Sequence, residues 1–105
     1  MIAVIFEFEV HPTKRERYFH LAEQLKPELK KINGFISVNR FKSTEKPEKF
    51  LSLSLWRDQS AVDAWKKHTD HVLAQKEGKN SIFKNYNIYV TKITQKNSFT
   101  SETAR

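Results

Sequence analysis

Residues 35–56 read "FISVNRFKSTEKPEKFLSLSLW" and contain two eight-residue stretches rich in aromatic and aliphatic side chains, 35–42 and 49–56. The segment between them, "STEKPE", is polar and carries the Ser and Pro that are typical of turns. Two such runs joined by a short polar segment predict a β-hairpin. The hairpin decides the fold, because the sequence predicts one strand and one helix on each side of it.

On the N-terminal side of the hairpin, apolar residues between Thr13 and Ile32 recur every three or four positions and form one stripe on a helix. Thr13 is the predicted N-cap, and Pro27 is expected to bend the helix. Gly34 ends it in the left-handed conformation that favours glycine. Before this helix, residues 2–10, "IAVIFEFEV", alternate with a period of two, which predicts a strand.

On the C-terminal side, a second helix is predicted from Asp58 or Ser60 to about Lys76, and a last strand over 81–93. The order βαββαβ predicts a ferredoxin-like α+β fold, with a four-stranded antiparallel sheet and both helices on one face. We assign this domain to residues 1–93. The polar residues 94–105 are predicted to form a flexible tail.

The composition limits the classes of function. A chain of 105 residues suits one domain, and the lack of cysteine excludes disulfides and thiolate chemistry. The sequence has no basic leader and no apolar run of about 18 residues, so we predict a soluble, cytoplasmic protein without membrane contact. The formal net charge of +7 suggests an anionic partner. Because the lysines are spread along the chain, we predict no nucleic-acid binding.

The hairpin also predicts a dimer. If Val38 and the three leucines of 49–56 face the helices, the opposite face carries four large aromatic residues. These are Phe35, Phe41, Phe50 and Trp56. An exposed aromatic patch of this size is unusual for a monomer, so we predict that a second copy covers it in a two-fold homodimer. The alternative is that the aromatic residues are exposed singly, which is common.

The second helix lies within 56–79, "WRDQSAVDAWKKHTDHVLAQKEGK". Helical spacing places Trp65 on the stripe that faces the sheet, and His68, His71 and Gln75 on a neighbouring stripe. A tryptophan in such a stripe is usually core, and a boundary histidine is usually structural. The more specific interpretation is that this helix also forms the wall of a reaction pocket. Two histidines three residues apart are a weak metal signal, and we predict no metal.

Three motifs in this region resemble those of a known family. They are W-R-D at 56–58, A-W-x-x-H-x-x-H at 64–71 and A-Q-x-x-G-K at 74–79. With "MIAVIFEFEV", "INGFISVNRF" and "IFKNYNIYVTKI", they make residues 1–93 resemble the antibiotic biosynthesis monooxygenase (ABM) family. The resemblance implies a ferredoxin-like unit that dimerises through its sheets into an α+β barrel. Some members oxidise phenols to quinones with O₂ and no cofactor, and others degrade haem.

The haem-degrading branch is the poorer match. The resemblance implies an Asn on the first strand, a Trp on the second helix and a His ten residues after that Trp. Trp65 agrees, but position 75 is Gln and the first strand has no Asn. Haem degradation by that route is therefore not expected, unless His68 or His71 ligates the iron instead.

The resemblance and the residues together predict a cofactor-independent monooxygenase that oxidises a small phenol- or quinol-type aromatic with O₂. The catalytic candidates are His68 as base, Trp65 as platform and Arg40 as the cation that lowers the pKa of the phenol. Arg40 follows Ile36 and Val38 in the alternation and so faces the helices, and the alternative is a strand-end arginine whose charge reaches water. Predicted substrate contacts are His71, Tyr86 and Gln75. The alternative is a non-catalytic barrel that binds a small ligand or serves a stress response. An RNA-binding module is disfavoured, because "KFLSLSLW" has no glycine.

Overall fold

The structure, a computed structural model, describes residues 1–76 and 79–102, with the side chains of 71–76, 79 and 80 outside the described set. The elements follow in the predicted order βαββαβ, with one extra short helix before the last strand. They are β1 (Ile2–Val10), a 3₁₀ turn (Pro12–Lys14), α1 (Arg15–Lys30), β2 (Phe35–Lys42), β3 (Lys49–Trp56), α2 (Gln59–Lys76), α3 (Lys79–Ile82) and β4 (Phe83–Lys92).

The four strands form one antiparallel sheet in the order β2-β3-β1-β4. The alternation of β1 places Val4, Phe8 and Val10 on one face, where they are fully buried. Tyr18 and Leu21 of α1 pack in the same cluster as Phe8 and Val10, while Ala61 and Val62 of α2 pack with Val4. Both helices therefore cover one face, and the predicted ferredoxin-like fold is confirmed.

The predicted facing of β3 is wrong. In the pairing with β1, Phe8 lies opposite Phe50 and Ile2 lies opposite Trp56. Residues directly opposite each other in a sheet point to the same face, so Phe50 and Trp56 face the helices with Phe8. Phe50 is 3 % exposed and Trp56 is fully buried within one chain. Neither ring lies on the open face, which corrects their assignment to the dimer interface.

A β-bulge explains why Phe35 also departs from its predicted position. The register of β2 against β3 shifts between Phe35 and Ser37, because Phe35 pairs with Trp56 and Ser37 pairs with Leu55. One extra residue in a strand reverses which face the following side chains occupy. Phe35 therefore faces inward, with its ring 5.2 Å from that of Trp56 in a T-shaped contact. It belongs to the core, and its predicted role at the dimer interface is wrong.

The outer face of the sheet is defined by the residues between the inward positions. Phe41 lies there with 52 % of its surface exposed, and Tyr89 of β4 is 50 % exposed. The strands place further apolar and polar side chains around these two rings, at positions that alternate with the buried ones. They are Ala3, Ile5, Glu7, Ser37, Asn39, Leu51, Leu53, Leu55, Asn87 and Thr91.

The loop between α1 and β2 fixes the start of α2. Gly34 has φ +99°, as predicted, and a Cβ at this position would lie 2.7 Å from the Cβ of Ala61. The Gly34 carbonyl accepts a hydrogen bond from the Arg57 amide at 2.8 Å, and Asp58 Oδ1 caps α2 by accepting one from the Ala61 amide at 3.0 Å. This hydrogen bond, followed by the one from Arg57, lowers the pKa of the Asp58 carboxyl.

Several predicted element boundaries need correction. Thr13 lies in the 3₁₀ turn and caps no helix, since α1 begins at Arg15 without a side-chain cap. α1 includes Pro27 and ends at Lys30, before the predicted end of the stripe at Ile32, and its C-cap residue is Lys31 and not Gly34. The last strand begins at Phe83, because 79–82 form α3.

The part of the chain after β4 has no regular structure as far as residue 102, and Phe99 within it is 90 % exposed. Its predicted flexibility stays a prediction. Among the described residues, no helix combines the length and the apolar character that a membrane crossing requires.

Candidate functional site

A cavity of about 120 Å³ lies between the two helices and the sheet. Its floor is one row of side chains that crosses all four strands. The register places Arg40 of β2 opposite Ser52 of β3, Ser52 opposite Phe6 of β1, and Phe6 opposite Ile88 of β4. Because Ser52 is small, the middle of this row leaves space that a larger side chain would fill.

The walls of the cavity come from the facing sides of α1 and α2. α1 contributes residues at the three- and four-residue spacing of one helical stripe, α2 contributes two pairs one turn apart, and the end near α3 is closed by apolar residues. The wall residues are Tyr18, Leu21, Ala22, Leu25, Lys26, Leu29, Trp65, Lys66, Thr69, Asp70, Ile82 and Phe83. Most of this surface is apolar, so a bound molecule loses most of its hydration on entry.

Arg40 and Tyr18 form the polar end of the cavity. The Arg40 Cζ lies 5.6 Å from the ring centroid of Tyr18 and 5.6 Å from that of Phe19, which are cation–π distances. Burial raises the pKa of the Tyr18 hydroxyl above its ordinary value of 10.0, although the charge and hydrogen bond of Arg40 act in the opposite direction. Tyr18 is therefore neutral near pH 7 and can donate a hydrogen bond, while Arg40 supplies a fixed positive charge.

Trp65 joins the core of α2 to the cavity. Its ring lies 5.8 Å from that of the fully buried Trp56, and the same side chain lines the cavity. Trp56 is fixed in turn by a hydrogen bond from its Nε1 to Ser54 Oγ at 2.9 Å. This arrangement gives Trp65 one structural and one cavity-facing side, and its catalytic role stays a prediction.

His68 does not reach the cavity, which corrects its predicted position. Its Nε2 lies 3.5 Å from Glu28 Oε1 on α1, but the two atoms lack hydrogen-bond geometry and Nε2 is buried without a partner. The contact becomes an ion pair only when the imidazole is protonated. His68 is absent from the described lining of the cavity. Its position favours a structural role between the helices, and its role as a base stays a prediction.

The three predicted substrate contacts have different outcomes. Tyr86 lies on the helix-facing side of β4, opposite Phe8, and lines the cavity with its ring 5.5 Å from that of Phe6. The side chains of His71 and Gln75 lie outside the described residues. Among the described residues, no three His, Asp or Glu side chains come together as metal ligands would.

Sequence reasoning missed several residues of the lining. Tyr18 looked like core because it sits in the apolar stripe of α1, and the signal of its second role is its hydroxyl. Thr69 lies one helical turn after Trp65 and lines the cavity, and its Oγ1 is buried without a hydrogen-bond partner among the described residues. Lys26 and Lys66 looked like ordinary surface lysines, although each follows an apolar stripe residue by one position.

Comparison with known proteins supplies the family. The profile of the family described as "Antibiotic biosynthesis monooxygenase" (ABM) matches residues 1–77. The chain belongs to this family. Residues 1–77 contain the strands β1 to β3 and the helices α1 and α2, and thus most of the residues that line the cavity.

A protein with a similar sequence agrees with this assignment. The chain is 38 % identical over 94 residues to a protein named "Jasmonate monooxygenase ABM" from Pyricularia oryzae. That match covers 90 % of this chain but 44 % of the relative, so the chain spans less than half of that protein.

Among solved structures, Rv0793 from Mycobacterium tuberculosis matches with a TM-score of 0.76 at 17 % identity, over 92 % of this chain and 98 % of that one. SnoaB from Streptomyces nogalater, described as a cofactor-independent oxygenase, matches with a TM-score of 0.71 at 13 % identity, over 90 % and 94 %. At these identities the two structures support the fold alone.

Proposed function

We propose that this ABM protein is a monooxygenase that oxidises a small phenol-type aromatic in the cavity between the helices and the sheet, with O₂ as its co-substrate. The observation that carries the proposal is the apolar cavity with Arg40 and Tyr18 at one end and Trp65 in its wall. The monooxygenase name of the Pyricularia oryzae relative supports the reaction class.

The size of the cavity supports a small substrate. An engineered apolar cavity of about 150 Å³ in another protein binds benzene, so about 120 Å³ suits a body close to one aromatic ring. The four pyrrole rings of haem exceed this volume, and among the described lining residues there is no histidine to ligate iron. The haem-degrading branch is therefore the poorer interpretation of this site.

The polar end of the cavity suits the first chemical step, which is formation of the phenolate. The fixed charge of Arg40 lowers the pKa of a phenol bound beside it and stabilises the resulting anion. The neutral Tyr18 hydroxyl donates a second hydrogen bond to the same oxygen. The proton leaves through water at the open side, where Arg40 is exposed.

The overall reaction balances without an added reductant. A phenol with a free ring C–H and O₂ give a quinone and water: one oxygen atom forms the new carbonyl, and the other leaves as water with two hydrogen atoms from the substrate. The substrate loses four electrons and O₂ gains four. The electron-rich phenolate begins the sequence by giving an electron to O₂, and the apolar walls keep bulk water from the reacting ring.

Closing the cavity tests the proposal. The purified protein is mixed with a panel of substituted phenols, and O₂ uptake and quinone absorbance are measured together. We expect one O₂ consumed per quinone formed, and a Ser52→Leu variant that remains folded but has lost this activity, because the larger side chain fills the centre of the floor. Ser60→Leu is the control, since it makes the same change at an exposed position of α2. Equal O₂ uptake by Ser52→Leu and the wild type would contradict the proposal.

A non-catalytic ligand-binding protein is the second candidate. The observation that favours it is the lack of a histidine among the described residues of the lining, since histidine is the usual base near neutral pH. The same experiment separates the two functions. Quenching of tryptophan fluorescence by a phenol without O₂ uptake would establish binding without turnover.

We also propose that a second copy covers the outer face of the sheet. Phe41 and Tyr89 are each at least half exposed there, with Leu51, Leu53 and Leu55 nearby. Phe41→Asp would place an unpaired charge in a dry interface and should split the dimer, whereas Asp at the exposed Phe99 should not. Sedimentation of the wild type as a monomer at micromolar concentration would contradict this assembly.

A further inference from the structure

Two lysines line the cavity from opposite walls without an ion-pair partner. Lys26 of α1 and Lys66 of α2 both belong to the lining, and both side chains are exposed, so their aliphatic stems cover the wall while their ammonium groups lie in water. Within the described part of the chain, neither ammonium makes a salt bridge or a side-chain hydrogen bond. The edge of an apolar cavity therefore carries two positive charges without an ion-pair partner among the described residues.

The remaining charges of the described lining do not cancel this excess. Asp70 is the only carboxylate among the described lining residues, and it has an interaction of its own. Arg40 is the third cation, and it lies over Tyr18 near the start of α1. Lys26 follows Tyr18 by eight residues, or about 12 Å of helix rise. The cavity thus has one cation at the Tyr18 end and two on its helical walls.

We propose that the substrate is an amphipathic anion, with a ring-sized apolar body in the cavity and a carboxylate held by Lys26 and Lys66. This inference rests on the proposed function for the reaction, in which the phenol oxygen lies at Arg40 and Tyr18. The two ends of one molecule then meet the two cationic ends of the cavity, and this fixes its orientation. Their exposed ammonium groups lie beside the apolar surface of the cavity and can reach a carboxylate at its edge.

A pair of ligands that differ only in charge tests this site by binding alone. The probes are 3-(4-hydroxyphenyl)propionate and its methyl ester, which share the same phenol ring, and binding is followed by tryptophan fluorescence and calorimetry. We expect the wild type to bind the acid about tenfold more tightly than the ester, a difference of about 1.4 kcal/mol. The preference should shrink as the salt concentration rises.

Matched variants separate the effect of these two lysines from the effect of the net positive charge of the protein. Lys26→Gln/Lys66→Gln should bind acid and ester equally, because the carboxylate has lost both cations. Lys30→Gln/Lys67→Gln removes two positive charges from the same two helices, at positions outside the described lining. This variant should still bind the acid more tightly than the ester. Equal loss in both double variants would overturn the assignment in favour of a general field effect.

The remaining outcomes distinguish this inference from the proposed function. If the wild type binds acid and ester equally and oxidises both, the carboxylate site is wrong while the monooxygenase proposal stands. If the acid is bound and preferred but neither phenol is oxidised, the carboxylate site stands and the reaction is wrong. If neither ligand binds, both are wrong.

Discussion

The two helical walls of the cavity differ in how their polar residues are used. On the α1 side, Tyr18 is buried beneath Arg40, and both line the cavity. On the α2 side, Trp65 lines the cavity, but His68, three residues later, faces Glu28. The α1 wall, whose sequence is less conspicuous, thus carries the hydroxyl and contacts the fixed charge of Arg40 on β2. The phase of each element decides which side chains reach the cavity, and the rarity or reactivity of a residue does not.

Helix geometry accounts for the position of His68. With about 100° per residue, Thr69 lies about 40° to one side of Trp65, and Lys66 and Asp70 lie farther in the same direction. His68 lies about 60° to the other side of Trp65. The cavity occupies the first side, as its lining shows. His68 is therefore turned toward α1 and away from the space that a substrate would fill.

The largest expected effect is on turnover, at Arg40, which contacts Tyr18 of α1. Arg40→Gln should lower turnover by about 10²-fold or more, because the phenolate loses the fixed charge that stabilises it. Stability should change by about 1 kcal/mol or less, since the side chain is exposed and contributes cation–π contacts to Tyr18 and Phe19. Steady-state kinetics and urea denaturation measure the two quantities.

Lys42→Gln is the control for Arg40, because it removes one positive charge two residues later in β2 and outside the described lining. If both variants lose turnover equally, the effect belongs to net charge and the contrast between the two walls fails.

The second prediction separates the two tryptophans of the α2 side. Trp65→Phe should weaken phenol binding by about tenfold, or about 1.4 kcal/mol, with a smaller loss of stability, because the ring lines the cavity. Trp56→Phe should do the reverse, since that ring is fully buried and its Nε1 donates to Ser54. Titration calorimetry measures the loss of binding in both variants, and thermal unfolding measures the loss of stability. Two variants with the same profile would show that Trp65 is simply core.

The sequence predicted the fold because each element carries its own signal. The alternation of 2–10 and the helical stripe of 13–32 leave one arrangement for β1 and α1. The strand β3 is different, since both of its faces are apolar: leucines alternate with Phe50, Ser52, Ser54 and Trp56. Only the register against β1 decides which face is inward, and a register is a long-range property that the pattern of one strand does not contain. The bulge after Phe35 adds a local reversal with no glycine to mark it.

The sequence predicts a residue of the site where the alternation of its own strand or the spacing of its own helix decides which face the residue occupies. Arg40 was placed on the helix-facing side of β2 because it follows Ile36 and Val38 in the alternation, and it lies there. Tyr18 and the two lysines were missed, because a cavity between two helices depends on how far apart the sheet holds them. That separation comes from tertiary packing and from the small Ser52 in the floor, and neither is visible in the sequence of one helix.

A smaller effect is expected at the contact between the walls. His68→Ala should lower stability by about 1 kcal/mol or less and change turnover by no more than a few-fold, because the His68–Glu28 pair is partly exposed. Glu28→Ala should act similarly, and the double variant should show less than the sum of the two losses. A hundredfold loss of turnover in His68→Ala, with Glu28→Ala like the wild type, would restore His68 as the base.

The smallest effect on stability near neutral pH is expected for the hydroxyl of Tyr18. Burial raises the pKa of Tyr18 in the folded chain above 10.0, so the native state holds this proton more tightly than the unfolded state. The associated stability is fully present below pH 10.0 and is lost as the pH rises from there through the folded pKa. Tyr18→Phe lacks this loss. The difference in unfolding free energy between wild type and variant should therefore shift toward the variant above pH 10.0, as urea denaturation at several pH values would show. Parallel curves would mean that burial does not raise the pKa of Tyr18 in the folded chain.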